Sequence, residues 1–305
     1  MRSRYGIVFI VALWVQLGCR AERPAEEPES VSVSDVGLQT PESMLHDPVA
    51  DVYLVSNING SPLEKDDNGF ISRLAPTGEV LSLKWIDGAS EAVTLHAPKG
   101  MALKGDTLFV ADIDEVRLFH RETGSPLGSR PIAGSTFLND VAVGPDGTVY
   151  VTDSGLRAGN QGFAPSGTDA VYRFDAAGQP VAVARDTTLG RPNGIVADDS
   201  ALTVVTFGSG EIYRLDPASG TRLETLPRAP AGQLDGVVRL ADGSLLVSSW
   251  ECQCVYQVHA GGHYMPVVDS VPAPADIGFD TRRNRILIPL FTENRVLARR
   301  LASQQ

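Results

Sequence analysis

One short phrase recurs six times between Pro41 and the end of the chain. It consists of a small or polar turn, an apolar strand, a tight turn, and a second strand closing on a small or acidic residue. It reads PESMLHDPVADVYLVSN at 41–57, PKGMALKGDTLFVAD at 98–112 and LNDVAVGPDGTVYVTD at 138–153. It returns as PNGIVADDSALTVVT at 192–206, LDGVVRLADGSLLVSS at 234–249 and PADIGFDTRRNRILIPL at 274–290. Successive starts lie 57, 40, 54, 42 and 40 residues apart. Self-similarity at this spacing marks a repeat architecture, and such a unit holds the four short strands of one propeller blade. The second halves agree. GFISRLAPTGEVLSLKWI, DAVYRFDAAGQPVAVAR and GEIYRLDPASGTRLETL each alternate apolar and polar residues around a central Gly-containing turn, as hairpins do.

The expected fold is therefore all-β: a six-bladed β-propeller over residues 30–305, with four antiparallel strands per blade. The sixth unit is one strand short, since only Ile277–Phe279, Ile286–Leu290 and Arg295–Leu301 remain before the chain ends. The alternating segment Val31–Val36 can supply the missing strand, closing the ring and removing an open edge. Thirty Gly and twenty Pro fit many tight turns rather than long helices. The net charge of −11, with no basic run outside the extreme N-terminus, argues against nucleic acid or an anionic membrane surface as partners of the folded part.

Residues 1–18 read as a signal peptide, with Arg2 and Arg4 before an apolar core, Tyr5–Leu17. Cys19 at the cleavage point, followed by a polar linker over 19–29, resembles a bacterial lipoprotein signal, although Gln16 stands where such signals usually carry Leu. This predicts export to the periplasm or cell surface, with Cys19 lipidated as the only membrane attachment. Simple secretion, or an uncleaved anchor, would leave the domain exported all the same. Cys252 and Cys254 are expected to be ordinary strand residues on one face, a poor geometry for a mutual disulfide.

The starts of the first strands and the ends of the second share one face of the ring. Two long connections, 57–68 and 154–169, fall on that face, and loops of this length in a compact domain are usually functional. At the strand starts each copy carries a polar residue: Glu42, Lys99, Asn139, Asn193, Asp235 and Asp276. Equivalent in the repeat, they are expected to ring the channel mouth. Oxygen donors of this kind suit a hard divalent cation, Ca²⁺ above all, with Mg²⁺, Mn²⁺ or Zn²⁺ as alternatives, and offer nothing soft for zinc or copper. Each alone is also an ordinary turn or surface residue.

These same residues resemble the senescence-marker-protein/gluconolactonase family, six-bladed propellers related in architecture to paraoxonase and diisopropylfluorophosphatase. The likeness covers nearly all of the chain from Pro41, through short phrases. Glu42 before the first strand, Asn139-Asp140, Pro192-Asn193-Gly194 and Leu234-Asp235-Gly236 follow the family's order. The resemblance implies a divalent metal held by Glu42, Asn139, Asn193 and Asp235. Asn139, Lys99 and Asp276 are candidate substrate contacts, and Asp235 is the group to orient or deprotonate an attacking water. His46 is a further base candidate if its strand turns it to the channel. Ser43-Met44-Leu45-His46 departs from the family's Gly-Pro-x-Trp stretch. Its sugar-contacting arginines also lack counterparts, because Arg73 and Arg117 fall on outer strands, so a sugar lactone is not supported as the substrate.

Two functions follow. One is a metal-dependent hydrolase opening a lactone or related ester of a small-molecule substrate. The other is a non-enzymatic propeller that binds a ligand or protein and carries a structural calcium. The chain has no G-x-S-x-G elbow, P-loop or G-x-G-x-x-G fingerprint, and its five histidines show no metal-ligand spacing.

Overall fold

A computed structural model of the protein describes residues 28–160 and 162–302. The signal-peptide and Cys19 lipidation expectations, and all but the last residues of the 19–29 linker, lie outside them. The chain opens with β1 (Ser30–Val33). Blade 1 is β2–β5 (Pro41–Asp47, Val52–Asn57, Phe70–Leu74, Val80–Asp87) and blade 2 is β6–β9 (Pro98–Lys104, Thr107–Asp112, Glu115–His120, Pro126–Pro131). Blade 3 is β10, β11, β14 and β15 (Leu138–Val143, Val149–Asp153, Ala170–Phe174, Pro180–Arg185). A separate hairpin, β12–β13 (Leu156–Gly159, Gly162–Pro165), interrupts it. Blade 4 is β16–β19 (Pro192–Ala197, Leu202–Thr206, Ile212–Leu215, Arg222–Thr225). Blade 5 is β20–β23 (Leu234–Arg239, Leu245–Ser249, Cys254–His259, His263–Val268) and blade 6 begins with β24–β26 (Gly278–Asp280, Arg285–Leu290, Arg295–Arg300).

The sixth sheet runs β1-β26-β25-β24, so the N-terminal strand completes the last blade. Ser30 pairs with Arg299 and Val33 with Val296. The strand is shorter than expected because Asp35 adopts a left-handed φ of 58° and turns the chain away. The innermost strands β2, β6, β10, β16, β20 and β24 pack in sequence around one axis, and β24 returns to β2.

The core is divided into six layers, one between each pair of neighbouring blades. Val52, Leu54 and Ile71 of blade 1 meet Met101, Leu108 and Val110 of blade 2, and the seam between blades 6 and 1 joins Val33, Leu287 and Val296 to Met44, Tyr53 and Val55. Each inner sheet is thus buried on both faces, which is why the first and second strands of the phrase read as nearly continuous apolar runs. The acidic or amide residue closing the second strand also has a cause. Asp112 accepts from the N–H groups of His96 and Ala97, Asp153 from those of Thr136 and Phe137, and Asn57 from Gln39 N–H. These side chains fasten the loop that leads into the first strand.

One expectation fails outright. Cys252 and Cys254 form a disulfide. Cys252 lies in the turn before β22, not in the strand, and Gln253 between them has a left-handed φ of 55°. That turn curls the chain so that the two Cα atoms stand 5.1 Å apart, within bridging range.

Candidate metal centre at the channel mouth

The polar residue of each phrase is aimed by a break in strand pairing. In β2, Pro41 pairs with Asn57 and Ser43 with Ser56, leaving Glu42 as an extra residue between them. The same shift occurs after Pro98, Leu138, Pro192 and Leu234. A bulge of this kind bends the strand and re-aims the side chain, here toward the channel. Strand β11 and its counterparts hold the bulges in place through hydroxyls. Ser43 N–H donates to Ser56 Oγ, Asp140 N–H to Thr152 Oγ1 and Gly236 N–H to Ser248 Oγ. Two of these hydroxyls donate onward to the next blade, Thr152 to the Asn193 carbonyl and Ser248 to the Ala275 carbonyl.

Glu42, Lys99, Asn139, Asn193 and Asp235 all line one cavity of about 350 Å³. Each is at most 5% exposed. Four of them present a buried oxygen with no hydrogen-bond partner: Glu42 Oε2, Asn139 Oδ1, Asn193 Oδ1 and Asp235 Oδ1. Buried polar atoms are normally satisfied, and these four, from blades 1, 3, 4 and 5, converge on the one cavity. Two carboxylates and two carboxamides are the donors a hard divalent cation takes. Among the described residues no group of three or more His, Cys, Asp or Glu is arranged to hold a metal; this set depends on its two amides.

Asp276 does not belong to the ring. Pro274 bridges to Leu290 as Pro41 does to Asn57, so the sixth rim position is Ala275 and Asp276 stands one residue further along. A slip of one residue changes which side a strand residue faces. Asp276 accepts from Ser43 Oγ at 2.5 Å and lines the other mouth of the channel. It shares this deeper tier with Asp140, which accepts from Val141 and Ile195 N–H. Elsewhere the tier is so crowded that only glycine fits: a Cβ on Gly236 would stand 2.3 Å from Ile277 N, and one on Gly194 2.5 Å from the Asp235 carbonyl.

Four buried carboxylates therefore share the channel with one ammonium. Burial first, then the charges of Asp235 and Asp276, push the Glu42 carboxyl well above its usual range, and Lys99 offsets part of that. Burial and Asp276 do the same to Asp235. The Trp250 indole lies close enough to lower Asp235 somewhat, although its N–H makes no hydrogen bond of ordinary geometry. Burial raises Asp276 to about 7 against the Ser43 hydrogen bond, and burial and Asp276 raise Asp140. Lys99 is lowered by burial, partly compensated by Glu42; its Nζ donates to the Ala97 carbonyl and sits 4.6 Å from the Phe137 ring centroid. A bound cation would relieve this excess of buried negative charge.

Sequence reasoning missed a second ring. The residue following the second strand of each blade is Ile58, Ile113, Ser154, Phe207, Trp250 and Phe291. Five of these are fixed by a backbone bond to the residue that precedes the phrase: Ile58 to Thr40, Ser154 to Phe137, Phe207 to Arg191, Trp250 to Gln233 and Phe291 to Ala273. All but Ile113 line the cavity. The repeat itself held the signal, one position beyond the end of each aligned phrase. The two long connections also contribute, Pro62 from the first and Leu156 and Phe163 from the second.

The opposite mouth opens into a larger cavity of about 580 Å³, but none of the four orphan oxygens faces it. His46 is there, not at the rim. Its Nε2 lies 3.0 Å from Asp51 and its ring packs edge-on against Tyr53, a structural role. Arg117 is tied to Asp112 and Glu115, and Arg73 stacks on Trp85.

No protein-family model matches the sequence, and no curated protein matches it. Solved structures do share the fold. A gluconolactonase from Xanthomonas campestris is 18% identical, with a TM-score of 0.65 over 86% of each chain. A protein described as a putative gluconolactonase is 19% identical, with a TM-score of 0.65 over 90% of this chain and 94% of its own. A streptogramin B lyase is 11% identical, with a TM-score of 0.61 over 88% of this chain and 96% of its own. The likeness establishes the six-bladed propeller, a scaffold that carries more than one activity.

Proposed function

We propose that the protein is a metal-dependent hydrolase that opens a lactone or related ester at the channel mouth. The observation that carries this is the set of four unpartnered buried oxygens, Glu42 Oε2, Asn139 Oδ1, Asn193 Oδ1 and Asp235 Oδ1, facing one cavity. They would hold the cation, with Ca²⁺ the best match to an all-oxygen set. A divalent ion in such a site supplies Lewis-acid polarisation of a carbonyl oxygen and stabilises the charge that develops on it.

The chain's own residues supply the rest. Asp235 lines the cavity beside the other three donors, where a carboxylate could orient an attacking water or take its proton. Asn139 is held by Ser154 and fixes one edge of the site. Among the described residues Lys99 is the only cationic side chain lining the cavity, and it would receive the carboxylate that ring opening creates. The gluconolactonases that share the fold support the reaction class.

The test is an activity screen of lactones and aryl esters on protein stripped of metal and refilled with Ca²⁺, Mg²⁺, Mn²⁺ or Zn²⁺. Turnover should appear on refilling and vanish in Asn193→Ala and Asp235→Ala with the fold intact. A melting temperature that rises on refilling, without turnover of any substrate, would instead leave a binding propeller with a structural ion.

A further inference from the structure

Above the four oxygens the cavity is walled by hydrocarbon. Phe207, Trp250 and Phe291 form a connected aromatic run, with successive ring centroids 5.4 and 5.1 Å apart. From blade 3, Phe137 and Phe163 meet edge to face at 6.0 Å, and Leu156 stands beside them in the lining. Phe163 is carried by the β12–β13 hairpin and is 56% exposed, an unusual exposure for so large an apolar group at the edge of a cavity. Among the described residues, beyond the floor residues and Ser154, the lining offers only Gln233 and the Trp250 indole N–H as polar partners.

This division of polarity selects a substrate. A lactone that carries hydroxyls around its ring would bury them against phenyl faces, and each buried group without a partner is costly. A lactone or ester whose only polar part is the reacting carboxyl group places that group on the floor and its hydrocarbon against the rings. We infer that the substrate is a lactone or ester bearing an alkyl or aryl substituent, with Phe163 on its hairpin covering that substituent. The inference rests on the hydrolase reading for its chemistry, and on the aromatic wall alone for the class of compound bound.

Two series separate these claims. The first is a set of γ-lactones with lengthening unbranched alkyl chains, together with a polyhydroxylated aldonolactone, assayed on Ca²⁺-loaded protein. The second is the matching set of unreactive alkyl lactams, titrated calorimetrically. The kcat/KM should rise about fourfold per methylene until the cavity is filled, the effect of burying one CH₂. The aldonolactone should be at least about a hundredfold poorer than the best alkyl member. Lactam affinity should climb in parallel, and Phe163→Ser should reduce the increment in both series to about twofold. A flat lactam series, or preference for the aldonolactone, overturns the inference and leaves the hydrolase proposal standing. A climbing lactam series without turnover of any lactone supports the apolar site and removes the hydrolase proposal.

Discussion

Asn139 donates from Nδ2 to the Ser154 hydroxyl at 3.2 Å, and Ser154 donates in turn to the Pro192 carbonyl at 2.7 Å. The carbonyl accepts only one way round, so the relay fixes the hydroxyl as acceptor from the amide and turns Asn139 Oδ1 to the cavity. Residues that orient metal ligands matter nearly as much as the ligands. Ser154→Ala should weaken Ca²⁺ binding by about ten- to a hundredfold, while Ser154→Thr keeps most of the affinity. Isothermal titration with Ca²⁺ reads both, and an unchanged affinity in the alanine variant would sink this role.

Asp235→Asn removes one of four carboxylates that burial crowds together with a single ammonium. In chelator, where nothing offsets their repulsion, the variant should melt at or above the parent's temperature. On adding Ca²⁺ the parent should gain about 4 kcal/mol at a thousand times Kd, and the variant much less. Parallel melting curves with and without Ca²⁺ decide it; equal Ca²⁺ stabilisation of both proteins would exclude Asp235 from the ligand set.

Acid should loosen the seam between blades 6 and 1. Arg283 pairs with Asp51 at 2.7 Å and Asp280 at 3.0 Å, and at the neighbouring seam Arg121 of blade 2 pairs with Asp47 of blade 1. The Arg283 hydrogen bonds hold Asp51 well below the usual carboxylate range. At Asp280 and Asp47 burial works the other way but is outweighed, by Tyr53 and Arg283 at the first and Arg121 at the second. Groups depressed in the folded state stabilise fully above their unfolded value, near pH 4, and lose that contribution as pH falls through their folded values. Arg283→Ala should therefore cost about 3 kcal/mol at pH 7 and distinctly less at pH 2. Chemical denaturation at the two pH values measures the difference; a pH-independent cost would show that the pairs do not act as described.

Deleting residues through Val33 removes β1 and uncovers the edge of β26. Val31 and Val33 are both buried, so the loss should be about 3–6 kcal/mol. The bare edge should also promote association. Size-exclusion chromatography and thermal melting of the truncated protein test this; a monomer of parental stability would show that ring closure does not depend on β1.

The six phrases determined the blade number, the strand order within a blade and the closure by an N-terminal strand, because each blade's two buried faces write the same apolar pattern locally. The equivalence of Glu42, Asn139, Asn193 and Asp235 was legible for the same reason. Asp276 was misplaced because the sixth phrase has Ala275 at the equivalent position and its acid one residue later, an offset that the Pro274–Leu290 bridge bears out. The Cys252–Cys254 bridge was missed because a left-handed Gln253 is a backbone fact that composition does not announce. The aromatic collar lay just outside the aligned phrase. What tertiary structure alone decided was convergence: four oxygens distant in sequence come to one cavity without a protein partner only when the ring closes around them. A repeat fixes which residues are equivalent; closure of the ring fixes that they face one another across an apolar cavity.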